Sequence, residues 1–120
     1  MKKVNYMDYS KKQIFNIITE ARIAAKQAAS TFFKEKLKGE DQFACGFAWV
    51  DIHGIRANSK IGKALAAAGI EKDLYKMAFS VWNPADIAVQ NIDTKYEGAL
   101  AFAKVLESYG FKAYAGSRLD

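Results

Sequence analysis

Apolar positions three and four residues apart dominate the first third of the chain. Ile14, Ile17, Ile18, Ala21, Ala25, Ala28 and Phe32 fall on one stripe of a helix with 3.6 residues per turn. Ser10 and Gln13 stand before it at capping-box spacing and Gly39 follows it, so the pattern predicts a long N-terminal helix from about Ser10 to Lys38. Alanine fills the middle of the stripe and lets another backbone come close, either a sheet in the core or the same helix of a second copy. At Gln42 the period changes to two. Phe43, Cys45, Phe47 and Trp49 alternate with Ala44, Gly46, Ala48 and Val50, which predicts a strand over Gln42–Asp51 with one bulky face and one smooth face. The smooth face suits a closely packed helix.

A loop from Ile52 to Ala57 leads to Asn58 or Ser59 as the cap of a short helix that runs to Ala68 and stops at Gly69. A second strand is predicted from about Leu74 to Trp82, ended by Asn83-Pro84. Asp93 or Thr94 then opens a third helix, with Leu100, Ala103 and Leu106 on its stripe and Gly110 at its end, and a last strand covers Phe111–Ala115. The order helix, strand, helix, strand, helix, strand predicts an α/β fold, with α+β as the alternative: a small three-stranded sheet packed by helices, behind a long N-terminal helix, in one domain over residues 1–120. Strands alternating with helices favour parallel crossovers, with one antiparallel edge allowed. Parallel strands would place a ligand beyond their carboxyl ends.

Those ends are where polar and aromatic side chains gather. After the first strand come Asp51, Arg56, Asn58, Ser59 and Lys60, with Trp49 just before them; after the second come Trp82, Asn83, Asn91 and Asp93; around the third stand Tyr114, Ser117 and Arg118. Helix starts present unpaired N–H groups to an anion, arginines bind phosphate or carboxylate in bidentate fashion, and Trp49, Trp82 or Tyr114 offer a ring to a base. The same residues have structural readings: Asn58, Ser59 and Asp93 as caps, the tryptophans as strand packing, Asn83-Pro84 as a turn, and Arg118 as an ion-pair partner of Asp51 or Asp93. The closing Gly116-Ser117-Arg118 is the part these readings explain least.

Length and composition bound the function. A chain of 120 residues that is 51% hydrophobic builds a core without disulfides or metal. Cys45 is the only cysteine, so an internal disulfide and a cysteine-rich zinc site are excluded, and its apolar surroundings read as a core thiol. One histidine, His53, makes a metal centre a poor fit, and no metal or other cofactor is expected. The sequence holds no apolar run of membrane-spanning length, and polar residues rather than an apolar leader follow Met1-Lys2-Lys3; a soluble, intracellular protein is expected. A net charge of +5 favours anionic partners, although the basic residues are spread along the chain and also serve solubility. Phosphate-loop, dinucleotide and nucleophile-elbow motifs are absent, so binding is expected ahead of catalysis, with Asp51, Asp93 or His53 left as general-base candidates for a nucleotide-processing enzyme.

The segments Cys45-Gly-Phe-Ala-Trp-Val50, Asn58-Ser-Lys-Ile-Gly-Lys63, Val81-Trp-Asn-Pro84 and above all Lys112-Ala-Tyr-Ala-Gly-Ser-Arg-Leu-Asp120 resemble a group of small tailed-bacteriophage proteins. The resemblance spans about residues 43–120 and implies a phage origin and a place in the host bacterial cytoplasm, with no activity or cofactor to carry over. Phage proteins of this size often disable host defence. The leading expectation is thus a non-catalytic, homo-oligomeric protein that binds a small anionic ligand, a nucleotide above all, and so sequesters a defence signal. The alternatives are direct inhibition of a host protein and binding of nucleic acid.

Overall fold

The computed structural model describes residues 6–120, and Met1, Lys2 and Lys3 lie outside them. Ser10 starts the first helix, α1 (Lys11–Lys36), as its spacing predicts: its Oγ accepts from Gln13 N at 3.1 Å, and Gln13 Oε1 accepts from Ser10 N at 2.7 Å. Ile14, Ile17, Ile18, Ala21 and Ala25 are buried, but the stripe continues through Ala29, leaving Ala28 and Phe32 half-buried. The remaining elements are β1 (Gly46–His53), α2 (Lys60–Ala67), β2 (Glu71–Asp73), β3 (Ala78–Trp82), α3 (Ile92–Ser108) and β4 (Lys112–Leu119). No helix among the described residues is long and apolar enough to cross a membrane.

The mixed helix-and-strand fold with its long first helix is present, but the sheet differs from the expectation in two respects. It has four strands in the order β2-β3-β1-β4, and every neighbouring pair is antiparallel. The extra strand is Glu71–Asp73, just before the stretch Leu74–Trp82, whose apolar residues read as one continuous strand. The Asp73 carboxylate instead accepts the N–H groups of Tyr75 (2.9 Å) and Lys76 (3.2 Å), which folds the chain into a hairpin. β2 pairs with β3 on its far side, and Leu74, Tyr75 and Met77 stand exposed in the turn. The crossovers survive in modified form: β1 and β2 run in the same direction, as do β3 and β4, but each pair has another strand between its members. This is a split βαβ arrangement.

Alternation along the strands separates two faces. Ala48, Val50 and Ile52 of β1, Phe79 and Val81 of β3 and Ala113 of β4 are buried in one core with Phe102, Ala99 and Leu106 of α3, Ile61 and Leu65 of α2, and the α1 stripe. All three helices therefore lie on one side of the sheet. The smooth face of β1 is indeed the one that packs against helix. Gly98 lets α3 and α1 approach closely, since a Cβ there would lie 2.8 Å from Ala85 Cβ and 3.3 Å from the Ala25 carbonyl oxygen. Cys45 is exposed and not a core thiol, because the regular strand begins only at Gly46 and Phe43, at φ +66°, turns the preceding chain.

Candidate functional site

Among the described residues the other face of the sheet carries no helix, and the bulky side chains of β1 are on it. Phe47, Trp49, Asp51 and His53 point there, opposite Trp82 and Ser80 on β3 and opposite Arg118, Gly116, Tyr114 and Lys112 on β4. The register makes them a lattice. Trp49 pairs directly with Trp82, with ring centroids 5.3 Å apart, and Phe47 meets Trp82 edge-on at 6.1 Å. His53 and Tyr114 form a second ring pair at 5.7 Å. Three of these rings are well exposed: Phe47 at 37%, Trp82 at 53% and Tyr114 at 57%.

Cations border the rings. The Arg118 guanidinium carbon lies 5.8 Å from the Phe47 ring centre and Lys95 Nζ 5.5 Å from it. Lys95 is itself buried, donating to the Gly46 carbonyl at 2.8 Å. Lys76 Nζ stands 4.5 Å above Trp49 and 5.9 Å from Trp82, and pairs with Asp51 Oδ1 at 3.3 Å. Asp51 also accepts from Trp49 Nε1 at 3.2 Å and from Ser80 Oγ. Its charge is thus matched within the face, where it orients Trp49. Gly116 is explained by the same ring: a Cβ there would meet Trp49 Nε1 and Cε2 at 2.7 Å, so only glycine lets the indole lie over β4.

The thirteen residues singled out in the sequence divide between two ends and one face. Trp49, Asp51, Trp82, Tyr114 and Arg118 belong to the open face. Ser117 is exposed on β4 but points to the helix side. Arg56, Asn58, Ser59 and Lys60 follow the His53 end of β1, whereas Arg118 pairs with Phe47 at its start, roughly 20 Å away along the strand. Antiparallel pairing therefore undoes the single rim that parallel strands would have made. Ser59, and not Asn58, caps α2, with its Oγ accepting from Gly62 N at 3.0 Å. The cap of α3 is Asn91, in place of Asp93 or Thr94.

Asn91 is fully buried and fully used. Its Oδ1 accepts from Thr94 N and Thr94 Oγ1 at 2.7 and 2.8 Å, its Nδ2 donates to the Gln42 carbonyl at 2.8 Å, and its N–H goes to Asp41 Oδ1 at 2.9 Å. Asn83 holds a φ of +46° and donates Nδ2 to the Ile87 carbonyl at 3.0 Å, a turn role. Asp93 is exposed on the first turn of α3. The residues that the sequence reading missed are Phe47, Lys76, Lys95 and Lys112. Phe47 was legible from its place two residues before Trp49, whereas Lys76 and Lys95 arrive through a hairpin and a helix end that no local pattern announces. Among the described residues, no three His, Cys, Asp or Glu side chains are grouped to hold a metal ion.

No family model, curated protein or solved structure matches the chain.

Proposed function

We propose that the protein binds single-stranded nucleic acid on the open face of its sheet, by stacking bases on exposed rings and pairing phosphates with the cations beside them. The observation that carries this reading is the row Phe47, Trp82 and Tyr114, exposed across three adjacent strands and flanked by Arg118, Lys112 and Lys76. A stacked base gains about 1–3 kcal/mol on an aromatic platform whatever its identity, and a net charge of +5 adds attraction to the backbone. The rings extend over three strands of the sheet rather than closing around one pocket, which favours a strand of several bases over a lone nucleotide. Bases and phosphates are the ligand chemistry expected from the sequence; the change is from monomer to polymer. We propose further, in keeping with the resemblance to phage proteins, that this activity serves in an infected bacterial cell.

Fluorescence anisotropy with a labelled oligothymidylate of roughly a dozen nucleotides tests it, with a duplex of equal length as the comparison. Single strands should bind more tightly than the duplex, and affinity should fall as salt rises. Trp82→Ala should weaken binding by about 5- to 150-fold, the loss of one stacked base, at nearly unchanged melting temperature. Arg118→Ala should lower the salt dependence by about one phosphate contact. Full affinity in Trp82→Ala, or no binding at low salt, overturns the proposal. Mono- or cyclic nucleotides that bind as tightly as the oligomer would return the reading to a free nucleotide.

A further inference from the structure

The two edges of the sheet are built differently. β2 is three residues long and carries Glu71 and Asp73, a short charged edge of the kind that resists pairing. β4 is eight residues long, without proline, and no further strand pairs with it among the described residues. Which of its backbone groups are free follows from the ladder. Asp120 donates its N–H to the Cys45 carbonyl at 3.1 Å, and bonded partners in an antiparallel pair recur every second residue. Lys112, Tyr114, Gly116 and Arg118 therefore turn their N–H and C=O toward β1, while Ala113, Ala115, Ser117 and Leu119 turn theirs outward.

We propose that this edge pairs with β4 of a second copy, antiparallel, about a two-fold axis at Gly116. In that register Ala113 bonds with Leu119 of the second copy and Ala115 with Ser117, so every outward group of the strand finds a partner. On the open face Lys112 stands opposite Asp120 of the second copy, and Tyr114 opposite Arg118, an ion pair and a cation–ring pair that the symmetry repeats. Sliding the strands by two residues in one direction sets Lys112 against Arg118, like charges; sliding them in the other moves Asp120 from Lys112 to Tyr114 and Arg118 from Tyr114 to Gly116. Charge thus selects the Gly116-centred register. On the helix side, Leu119, 65% exposed in one copy, comes to lie beside Ala113 of the other. There a groove of about 400 Å³ between α3 and β4, lined by Leu100, Ala103, Ala113 and Ala115 together with Lys104, Glu107 and Tyr114, offers apolar surface to that side chain. The product is an eight-stranded sheet with the ring-bearing faces of both copies joined, and its formation does not depend on what those faces bind.

Sedimentation equilibrium over a range of protein concentrations tests the pairing. The chain should form a dimer, and Ser117→Pro, which removes an outward N–H directed away from β1, should raise the dissociation constant at least about tenfold while far-ultraviolet dichroism stays native. Lys112→Asp and Asp120→Lys should each weaken the dimer by roughly two- to thirtyfold, the effect of two symmetric pairs. Lys112→Asp combined with Asp120→Lys should restore it, so the charge exchange decides the matter even if Ser117→Pro disturbs the fold. A chain that stays monomeric at the highest concentrations, or a dimer indifferent to Ser117→Pro and to both charge reversals, overturns the proposal.

Discussion

The two faces of β1 are made by alternate residues of one eight-residue strand, yet they obey different rules. Ala48, Val50 and Ile52 are buried, and their modest size is what lets α3 lie on the sheet. Phe47, Trp49, Asp51 and His53, one step away in each case, carry the larger and more polar side chains and remain partly in water. A sequence selected for stability alone would put its largest rings where the most water is displaced. Here the core is built of alanine, valine, isoleucine, leucine and the smaller rings of Phe79, Phe102 and Phe111, while both tryptophans lie outside it. The difference teaches that hydrophobic content and core content are separate quantities, and the surplus on the open face is the surface that the proposed binding uses.

Substitutions should therefore divide by face. Phe102, fully buried between α3 and the sheet, should cost the most: Phe102→Ala should lower the unfolding free energy by about 3–5 kcal/mol in urea titration. Asn91→Ala should follow at about 3 kcal/mol. It removes the α3 cap, strands the N–H and hydroxyl of Thr94 away from water and takes the Nδ2 donor from the carbonyl of Gln42. Losses below about 1 kcal/mol at either site would mean that the helix-covered face is not where the stability lies.

These two residues also mark what the sequence could tell. Periodicity placed all three helices and the inner face of β1, because burial on a helix or a half-covered strand imposes a strict period. It missed Asn91 as the cap of α3 because that role depends on Asp41 and Gln42, about fifty residues away, which no local pattern connects. The hairpin was hidden for the opposite reason. Leu74, Tyr75 and Met77 look like strand residues, and the side chain that breaks the strand, Asp73, stands one position before the run. Strand direction was beyond reach altogether, since an inserted β3 leaves the helix-to-strand order unchanged. The open face was half legible: Trp49, Trp82, Tyr114 and Arg118 were named, but as residues of a rim that antiparallel pairing takes apart.

On the open face the expected effects are smaller and change in kind. Gly116→Ala should destabilise by about 1–3 kcal/mol, because the new methyl group meets the Trp49 indole at 2.7 Å and the ring must leave its place. The displaced ring also loses Asp51, so the fluorescence emission of Trp49 should shift to longer wavelength as its N–H turns to water. An alanine variant with native stability and native emission would show that Trp49 does not lie over β4, and the description of the platform would fall with it.

The smallest effect on stability belongs to Lys76. Its side chain is 32% exposed above Trp49 and pairs with Asp51 in contact with water, where an ion pair contributes about 0–1 kcal/mol and salt screens it. Lys76→Met keeps the apolar stem and removes only the charge, so melting should change by a few degrees at most at low salt, and the wild type and variant should converge at 1 M salt, roughly. The same change should weaken oligonucleotide binding at low salt and leave Trp82 stacking intact. If Lys76→Met instead destabilised the protein as much as Asn91→Ala, the cation would be part of what holds the fold, and the separation between a face that folds and a face that binds would not stand.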